Sequence, residues 1–192
     1  MLNVLLLGPQ GAGKGTQGRL ISEEQGIPHI ATGDMLRTAM AAGTPLGQAV
    51  KPIYDAGELV PDDLMIQLIR ERLSQADAQN GFVLDGFPRT DVQAAALDEV
   101  LEDIERPLTV VLEFQLPEEI SLERLRRRAG EEDRVDDTEE AIRTRLRLYH
   151  EQTEPLIEHY RARGNLVGIP ADRPIEEVFA DIQKALEQAA VR

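Results

Sequence analysis

The composition of this 192-residue chain excludes several classes of protein. Hydrophobic residues make up 42% of it, enough for one sizeable core but short for two, so we expect a single domain over residues 1–192. The absence of cysteine excludes disulfides and thiolate metal sites. A net charge of −14 argues against nucleic acid or an anionic membrane as a partner, because binding to either needs a broad positive field.

Short apolar runs alternate along the chain with longer segments of helical spacing. The first run, at 3–7, is too short for a signal peptide or a membrane span, so we expect a cytoplasmic protein. Further runs follow at 28–31, 82–84, 109–114 and 166–169. Helices are predicted at 14–25, 34–42, 46–56, 62–77, 91–104, 118–128, 138–162 and 174–189. This alternation predicts an α/β fold of three layers, in which helices cover both faces of a five-stranded parallel sheet.

A glycine-rich stretch, GPQGAGKGTQ at 8–17, follows the first apolar run. Its Gly8-x-x-x-x-Gly13-Lys14 spacing is typical of a phosphate-binding loop (P-loop), in which backbone N–H groups and a helix N-terminus converge on an anion. We expect Lys14 to reach the β and γ phosphates of a nucleoside triphosphate. The hydroxyl that usually follows this lysine and binds Mg²⁺ is displaced by one position, because Gly15 precedes Thr16.

Two later segments fit the alternation poorly. Residues 31–60 hold two short predicted helices where a single crossover helix is expected, and residues 128–138 are polar without an apolar period. We expect both to be excursions from the core. Asp34, Asp62 and Thr138 stand at the starts of predicted helices and are predicted to cap them.

Charged residues mark the remaining candidate positions. Asp85 ends the third apolar run, where ligands gather in an open α/β sheet, so we predict that it holds Mg²⁺ through water. Arginine outnumbers lysine 18 to 3, and eight arginines fall between Arg124 and Arg147. They predict either a local phosphate site or solvated helices with interleaved Glu and Arg. Surface pairing with glutamates is predicted for Arg126, Arg127, Arg143 and Arg147.

Four stretches together resemble the adenylate kinase family: GPQGAGKGTQ at 8–17, TGDMLR at 32–37, DGFPRT at 85–90 with Gln93, and GEEDRVDD at 130–137. The similarity runs nearly end to end. It implies a monomeric P-loop kinase that catalyses MgATP + AMP ⇌ 2 ADP, with 31–60 as an AMP-binding excursion and 128–138 as a short lid over ATP. Mg²⁺ is the implied cofactor. No zinc is expected, because a zinc site accompanies some members with the long form of the lid.

The resemblance also implies roles for individual residues. The implied catalytic residues are Lys14, Arg89, Arg128, Arg134 and Arg145. ATP would contact Gly11, Ala12, Gly13, Lys14, Gly15, Thr16, Arg124, Arg128 and Arg173. AMP would contact Thr32, Arg37, Glu58, Leu59, Val60, Gly86, Phe87, Pro88, Arg89, Gln93, Arg134 and Arg145. The Phe87-Pro88 peptide bond would be cis, as it is in the family.

Two alternative functions share parts of this pattern. A UMP/CMP kinase would carry asparagines at the positions of Thr90 and Gln93, whereas a glutamine both donates and accepts, as adenine N6 and N1 require. A P-loop hydrolase or switch would bind one nucleotide, but the arginine set and the second excursion imply two. The three histidines lie outside the motifs, and an AMP phosphate that is already ionised at pH 7 needs no general base.

Overall fold

A five-stranded, all-parallel sheet organises the molecule, as the sequence predicts. The computed structural model describes residues 1–131 and 138–190. The strands are β1 (Leu2–Leu7), β2 (His29–Ala31), β3 (Gly81–Asp85), β4 (Val110–Gln115) and β5 (Leu166–Pro170). Their order in the sheet is β2-β3-β1-β4-β5, so β1 and β3 are neighbours at its centre.

Helices cover both faces of this sheet and give the three layers. In the described ranges they are α1 (Lys14–Gln25), α2 (Thr32–Ala41), α3 (Pro45–Asp55), α4 (Asp62–Leu73), α5 (Asp91–Asp103), α6 (Glu118–Glu131), α7 (Glu139–Leu148), α8 (Leu156–Ala162) and α9 (Ile175–Ala190). Residues of β1 alternate between two apolar cores. Leu5 packs in a core with α4, α5 and α8, whereas Val4 and Leu6 pack in a core with α1 and α9. Among the described residues, no helix has both the length and the apolar character needed to cross a membrane.

The predicted helix at 138–162 is wrong, because the structure divides it. Helix α7 ends at Leu148, a π-helical turn covers Tyr149–Thr153, and α8 begins at Leu156. Within the turn, the N–H of Glu154 donates to the carbonyl of Tyr149 at 2.8 Å, a wider spacing than in an α-helix. The following Pro155 has no N–H to donate to the preceding turn. The helical ladder therefore stops there, although the apolar spacing continues.

One of the three predicted helix caps is confirmed. The side chain of Thr138 accepts a hydrogen bond from the N–H of Ala141 at 3.1 Å. The predictions for Asp34 and Asp62 are wrong, because Ala31 and Pro61 occupy the cap positions of α2 and α4. Both carboxylates lie in the first helical turn instead, where they bind side chains of other residues.

The segment 31–60 contains two short helices, as expected. Helices α2 and α3 pack closely where they cross near Gly47. A Cβ at Gly47 would lie only 2.1 Å from the carbonyl oxygen of Ala39, so no other residue type fits there without movement. In the second excursion, α6 continues to Glu131, and the predicted lid residues 132–137, Arg134 among them, lie outside the described residues.

Candidate active site

A cavity of about 540 Å³ lies at the carboxyl ends of β1 and β3. The register aligns Leu6 of β1 with Asp85 of β3, so the glycine-rich loop and the carboxylate leave the sheet side by side. The segments that line the cavity carry predicted residues of both nucleotide sites: Gly11 to Thr16, Arg124, Arg128 and Arg173 for ATP, and Arg37, Glu58, Leu59, Gly86, Pro88, Arg89 and Arg145 for AMP.

The shape of the loop explains its glycines. Gly8, Gly11 and Gly13 have φ angles of 138°, 79° and 84°, which L-residues rarely adopt. A Cβ at Gly8 would also lie 2.7 Å from the carbonyl oxygen of Phe114 on β4. Gly13 directly precedes the first turn of α1. Backbone N–H groups and the positive end of α1 can therefore face the cavity without intervening side chains.

Lys14 lies across the loop as a half-buried cation. Its Nζ donates to the carbonyl oxygens of Gly8 and Pro9, each at 2.8 Å. Burial lowers the pKa of Lys14 to about 8; Asp85 opposes this shift, and Arg89 and Arg128 add to it. The Lys14 ammonium therefore lies within the glycine-rich loop, with a pKa close to neutral pH.

Asp85 is a half-buried carboxylate held in its charged form. Burial by itself would raise its pKa, but the His29 ring, the Lys14 ammonium and Arg89 together hold the pKa of Asp85 below its usual range. His29 Nε2 lies 3.6 Å from Asp85 Oδ2. A Cβ at Gly18 of α1 would come within 2.5 Å of this same nitrogen, so the glycine makes room for the ring. Sequence reasoning missed His29, because the pairing of β2 with β3 that brings it here leaves no mark in the motifs.

Arg89 is the half-buried arginine of the DGFPRT segment. Its Nε donates to the carbonyl of Gly86 at 2.8 Å, and the hydroxyl of Thr153 donates to the backbone carbonyl of Arg89 at 2.9 Å. Burial lowers the pKa of Arg89, with Asp85 opposing the shift. The preceding Phe87-Pro88 peptide bond is cis, as expected from the sequence. These two hydrogen bonds hold both the backbone and the side chain of Arg89 in place.

Tyr54 joins two predicted AMP-binding arginines, and sequence reasoning missed it. Its hydroxyl accepts a hydrogen bond from Arg37, which also binds Asp34. Its carbonyl accepts from Arg145 Nη2 at 3.1 Å, and the Arg145 guanidinium carbon lies 5.3 Å from the centre of the Tyr54 ring. Although burial would lower the pKa of Arg37, Tyr54 and Asp34 raise it. No motif pointed to Tyr54, since its partners lie on α2 and α7.

Gln93 is buried behind the cavity wall, with a relative exposure of 2%. Its Oε1 accepts from the backbone N–H of Arg89 at 2.7 Å, and its Nε2 donates to Asp62 Oδ1 at 2.8 Å. Thr32 is also buried, and its hydroxyl donates to the carbonyl of Asp85 at 3.3 Å. Val60 and Phe87 belong to the same apolar core as Leu84. These four predicted residues are buried, and none of them is among the residues that line the cavity.

The arginines of the donor side differ in their surroundings. Arg124 Nη1 donates to the carbonyl of Ala171 at 2.9 Å and to that of Gly11 at 3.4 Å, joining the loop to the segment after β5. Arg173 binds Asp181 with its guanidinium. Surface pairing with Glu139 is confirmed for Arg126 and Arg143, and with Glu151 for Arg147. Arg127, predicted to pair on the surface, lines the cavity instead.

These elements match a known family. The family model described as adenylate kinase matches residues 6–165. The chain belongs to the adenylate kinase family. The matched range includes all of the site residues predicted above except Arg173.

Individual members of the family are similar over nearly their full lengths. The chain is 49% identical to the adenylate kinase of Corynebacterium aurimucosum, over 92% of this chain and 94% of that protein. It is 47% identical to the adenylate kinase of Cyanothece sp., over 98% and 96% of the two chains. It is 44% identical to that of Archaeoglobus fulgidus, over 97% and 99%.

Proposed function

We propose that the protein transfers the terminal phosphoryl group of MgATP to AMP and so forms two ADP. The observation that carries this proposal is that two separate groups of residues suited to bind phosphate line one cavity. The glycine-rich loop with Lys14 forms the first, and Arg37, Arg89 and Arg145 form the second. A hydrolase needs one such set and an attacking water, whereas transfer between nucleotides needs both.

The donor set comprises the loop from Gly11 to Thr16 together with Lys14, Arg124, Arg128 and Arg173. The loop N–H groups and α1 would hold the β and γ phosphates, and Lys14 would exchange its two carbonyl partners for phosphate oxygens. Arg124 also lines the cavity and donates to the Gly11 carbonyl of the loop. Outside the described residues, Arg134 is proposed to complete the cations around the transferred group, as the family resemblance implies.

Asp85 and Thr16 are suited to Mg²⁺, which binds through one or two protein oxygens, phosphates and water. Asp85 carries a half-buried carboxylate whose pKa is held low, so a charged oxygen is available to a cation. Among the described residues, no group of three or more histidine, aspartate or glutamate side chains is placed to hold a metal alone. The ion would therefore arrive with the nucleotide and neutralise charge on its β and γ phosphates.

The acceptor set comprises Arg37, Arg89 and Arg145 for the AMP phosphate, with Thr32, Glu58 to Val60, Gly86 to Pro88 and Gln93 around the nucleoside. The second pKa of a phosphate monoester is near 6, so the attacking oxygen is ionised at pH 7 without a general base. The protein therefore acts by positioning and by stabilising charge. Arg89, Arg145 and Lys14 would balance the negative charge spread over the equatorial oxygens during transfer.

The two excursions are proposed to close over the nucleotides of a monomeric, single-domain enzyme. Water competes with AMP for the activated phosphoryl group, so transfer requires a dry cavity. Residues 31–60 would cover AMP, since Arg37 and Tyr54 lie on α2 and α3. Residues 128–138 would cover ATP, since Arg128 at their start lines the cavity. Closure would then assemble the cations only when substrates are bound.

A coupled assay of ADP formation tests the proposal and its nearest alternative. ATP is held constant, and AMP, CMP, UMP or GMP is offered as acceptor. We expect turnover with AMP to exceed that with the other three, because the Gln93 amide can both donate to N1 and accept from N6 of adenine. Turnover with UMP or CMP but not with AMP would instead show a pyrimidine-nucleotide kinase, and ATP hydrolysis without any acceptor dependence would show a hydrolase.

A further inference from the structure

Asp62 makes contacts that a helix-capping or surface carboxylate would not make. It lies in the first turn of α4, half-buried, and its Oδ1 accepts two hydrogen bonds from residues at the start of α5. One comes from the hydroxyl of Thr90 at 3.0 Å and the other from Nε2 of Gln93 at 2.8 Å. Asp62 thus connects α4 to the amide proposed to face the acceptor base.

The hydrogen bonds around Gln93 fix which way its amide points. A carboxylate can only accept, so the amide nitrogen must face Asp62. A backbone N–H can only donate, so the amide oxygen must face Arg89, whose N–H lies 2.7 Å away. Turning the amide over would place two donors together at Arg89 and two acceptors together at Asp62. In a side chain that is 2% exposed, water could not compensate for either loss.

We propose that Asp62 is a positioning residue that makes the acceptor site select a 6-aminopurine over a 6-oxopurine. After the two internal bonds, the Gln93 amide retains one N–H and one oxygen lone pair. Adenine offers a complementary pair, with an acceptor at N1 and a donor at N6. Hypoxanthine offers a donor at N1 and an acceptor at O6, the reverse arrangement. This inference rests on the proposed function, since it concerns the base bound in the AMP site.

Selection follows only if the base cannot shift to suit the amide. The arginines Arg37, Arg89 and Arg145 would hold the acceptor phosphate, and Glu58 and Leu59, which also line the cavity, would hold the nucleoside. With both parts held, hypoxanthine could pair with Gln93 only if the amide turned over. The carboxylate of Asp62 and the N–H of Arg89 both oppose that turn.

The test compares AMP with inosine monophosphate as acceptors, using the full-length protein and saturating MgATP. Asp62→Asn keeps the size of the side chain but can present either an oxygen or an NH₂ group to Gln93, so one of the two constraints is removed. We expect the ratio of kcat/KM for AMP to that for inosine monophosphate to fall about tenfold, mainly through KM. Asp63→Asn is the matched control, because it removes the neighbouring exposed carboxylate in the same helical turn. Its ratio should equal that of the unmodified protein.

A double-mutant cycle shows whether Asp62 acts through Gln93. Gln93→Leu should itself abolish most of the selectivity, and adding Asp62→Asn should then change the ratio no further. An unchanged ratio in folded Asp62→Asn, an equal fall in Asp63→Asn, or a further fall on the Gln93→Leu background would overturn the inference. Such results leave the proposed function intact, whereas a lack of turnover with AMP in the unmodified protein would remove both.

Discussion

At the scale of single residues, the cavity concentrates positive charge in a protein whose net charge is −14. Lys14 and Arg89 lie half-buried there with Asp85 as a nearby carboxylate, and the loss of solvent around them lowers the pKa of both cations. The free site is therefore short of negative charge. Phosphate groups would supply it, which is why an acidic protein can still bind two highly anionic nucleotides.

Because Lys14 carries part of this positive charge, the affinity of the protein for ATP should depend on pH. The Lys14 pKa of about 8 means that the ammonium is charged in the free protein below pH 8 and loses its proton above that pH. ATP favours the charged form, so binding above pH 8 must take up a proton. We expect the affinity for ATP to fall by up to about tenfold per pH unit between pH 8 and 10.

Calorimetric titration in buffers of different ionisation enthalpy measures this proton uptake directly at pH 8.5. The uptake should vanish in Lys14→Met and persist in Lys51→Met, since Lys51 is an exposed lysine paired with Asp55 on α3. A binding heat that is independent of the buffer in the unmodified protein would contradict the assigned state of Lys14.

The sequence could predict those site residues whose positions depend only on neighbouring residues in the chain. The glycine positions follow from backbone geometry within the loop, and Asp85 follows from the end of an apolar run. Tyr54, His29 and Asp62 were missed as members of the site, because each has its role through a partner on another element. Such partners become visible only when the packing of α2, α3, α7 and the strand order are known.

At the scale of elements, Arg106 secures the end of α4 on the side remote from the cavity lining. It is buried, and its guanidinium donates to the carbonyl oxygens of Leu73 at 2.9 Å and of Ala78 at 2.6 Å. Leu73 is the last residue of α4, where carbonyls lack partners within the helix and a cation is favoured. The charge therefore stabilises a helix terminus.

Arg106→Met should lower the free energy of unfolding by about 2 to 4 kcal/mol, because it leaves two buried carbonyls without their donor. Chemical denaturation measures this loss. Arg70→Met is the control, since the exposed Arg70 on the same helix only approaches Asp103, at 3.6 Å, and such a pair contributes little. Equal losses in the two variants would show that the contacts of Arg106 do not stabilise the protein.

Helix boundaries were harder to predict than the helices themselves. Apolar spacing runs through 138–162 and predicts one continuous helix. This spacing carries no information about the N–H that Pro155 lacks, and in the structure a π-helical turn precedes that proline. Asp34 and Asp62 have good intrinsic tendencies to cap a helix. In the structure both lie inside the first turn, where Asp34 binds Arg37 one turn further along α2 and Asp62 binds Gln93 of α5.

At the scale of the whole molecule, the strand order explains why the site forms where it does. The alternation of strands and helices predicted a parallel sheet, but it could not predict that β3 pairs with β1. This pairing sets Asp85 beside Leu6, just before the glycine-rich loop begins. With β2 on the far side of β3, the start of α2 also reaches the same edge. Residues from widely separated parts of the chain thus surround one cavity.

The central claim is that this cavity holds two nucleotides at once with their phosphates facing each other. Calorimetric titration with a non-hydrolysable ATP analogue and Mg²⁺, first alone and then in the presence of saturating AMP, tests it most directly. We predict that one analogue binds per chain in both titrations, and that one AMP binds per chain when the analogue is already present. Loss of analogue binding as AMP is added would mean that the two compete for one site, and would contradict the claim.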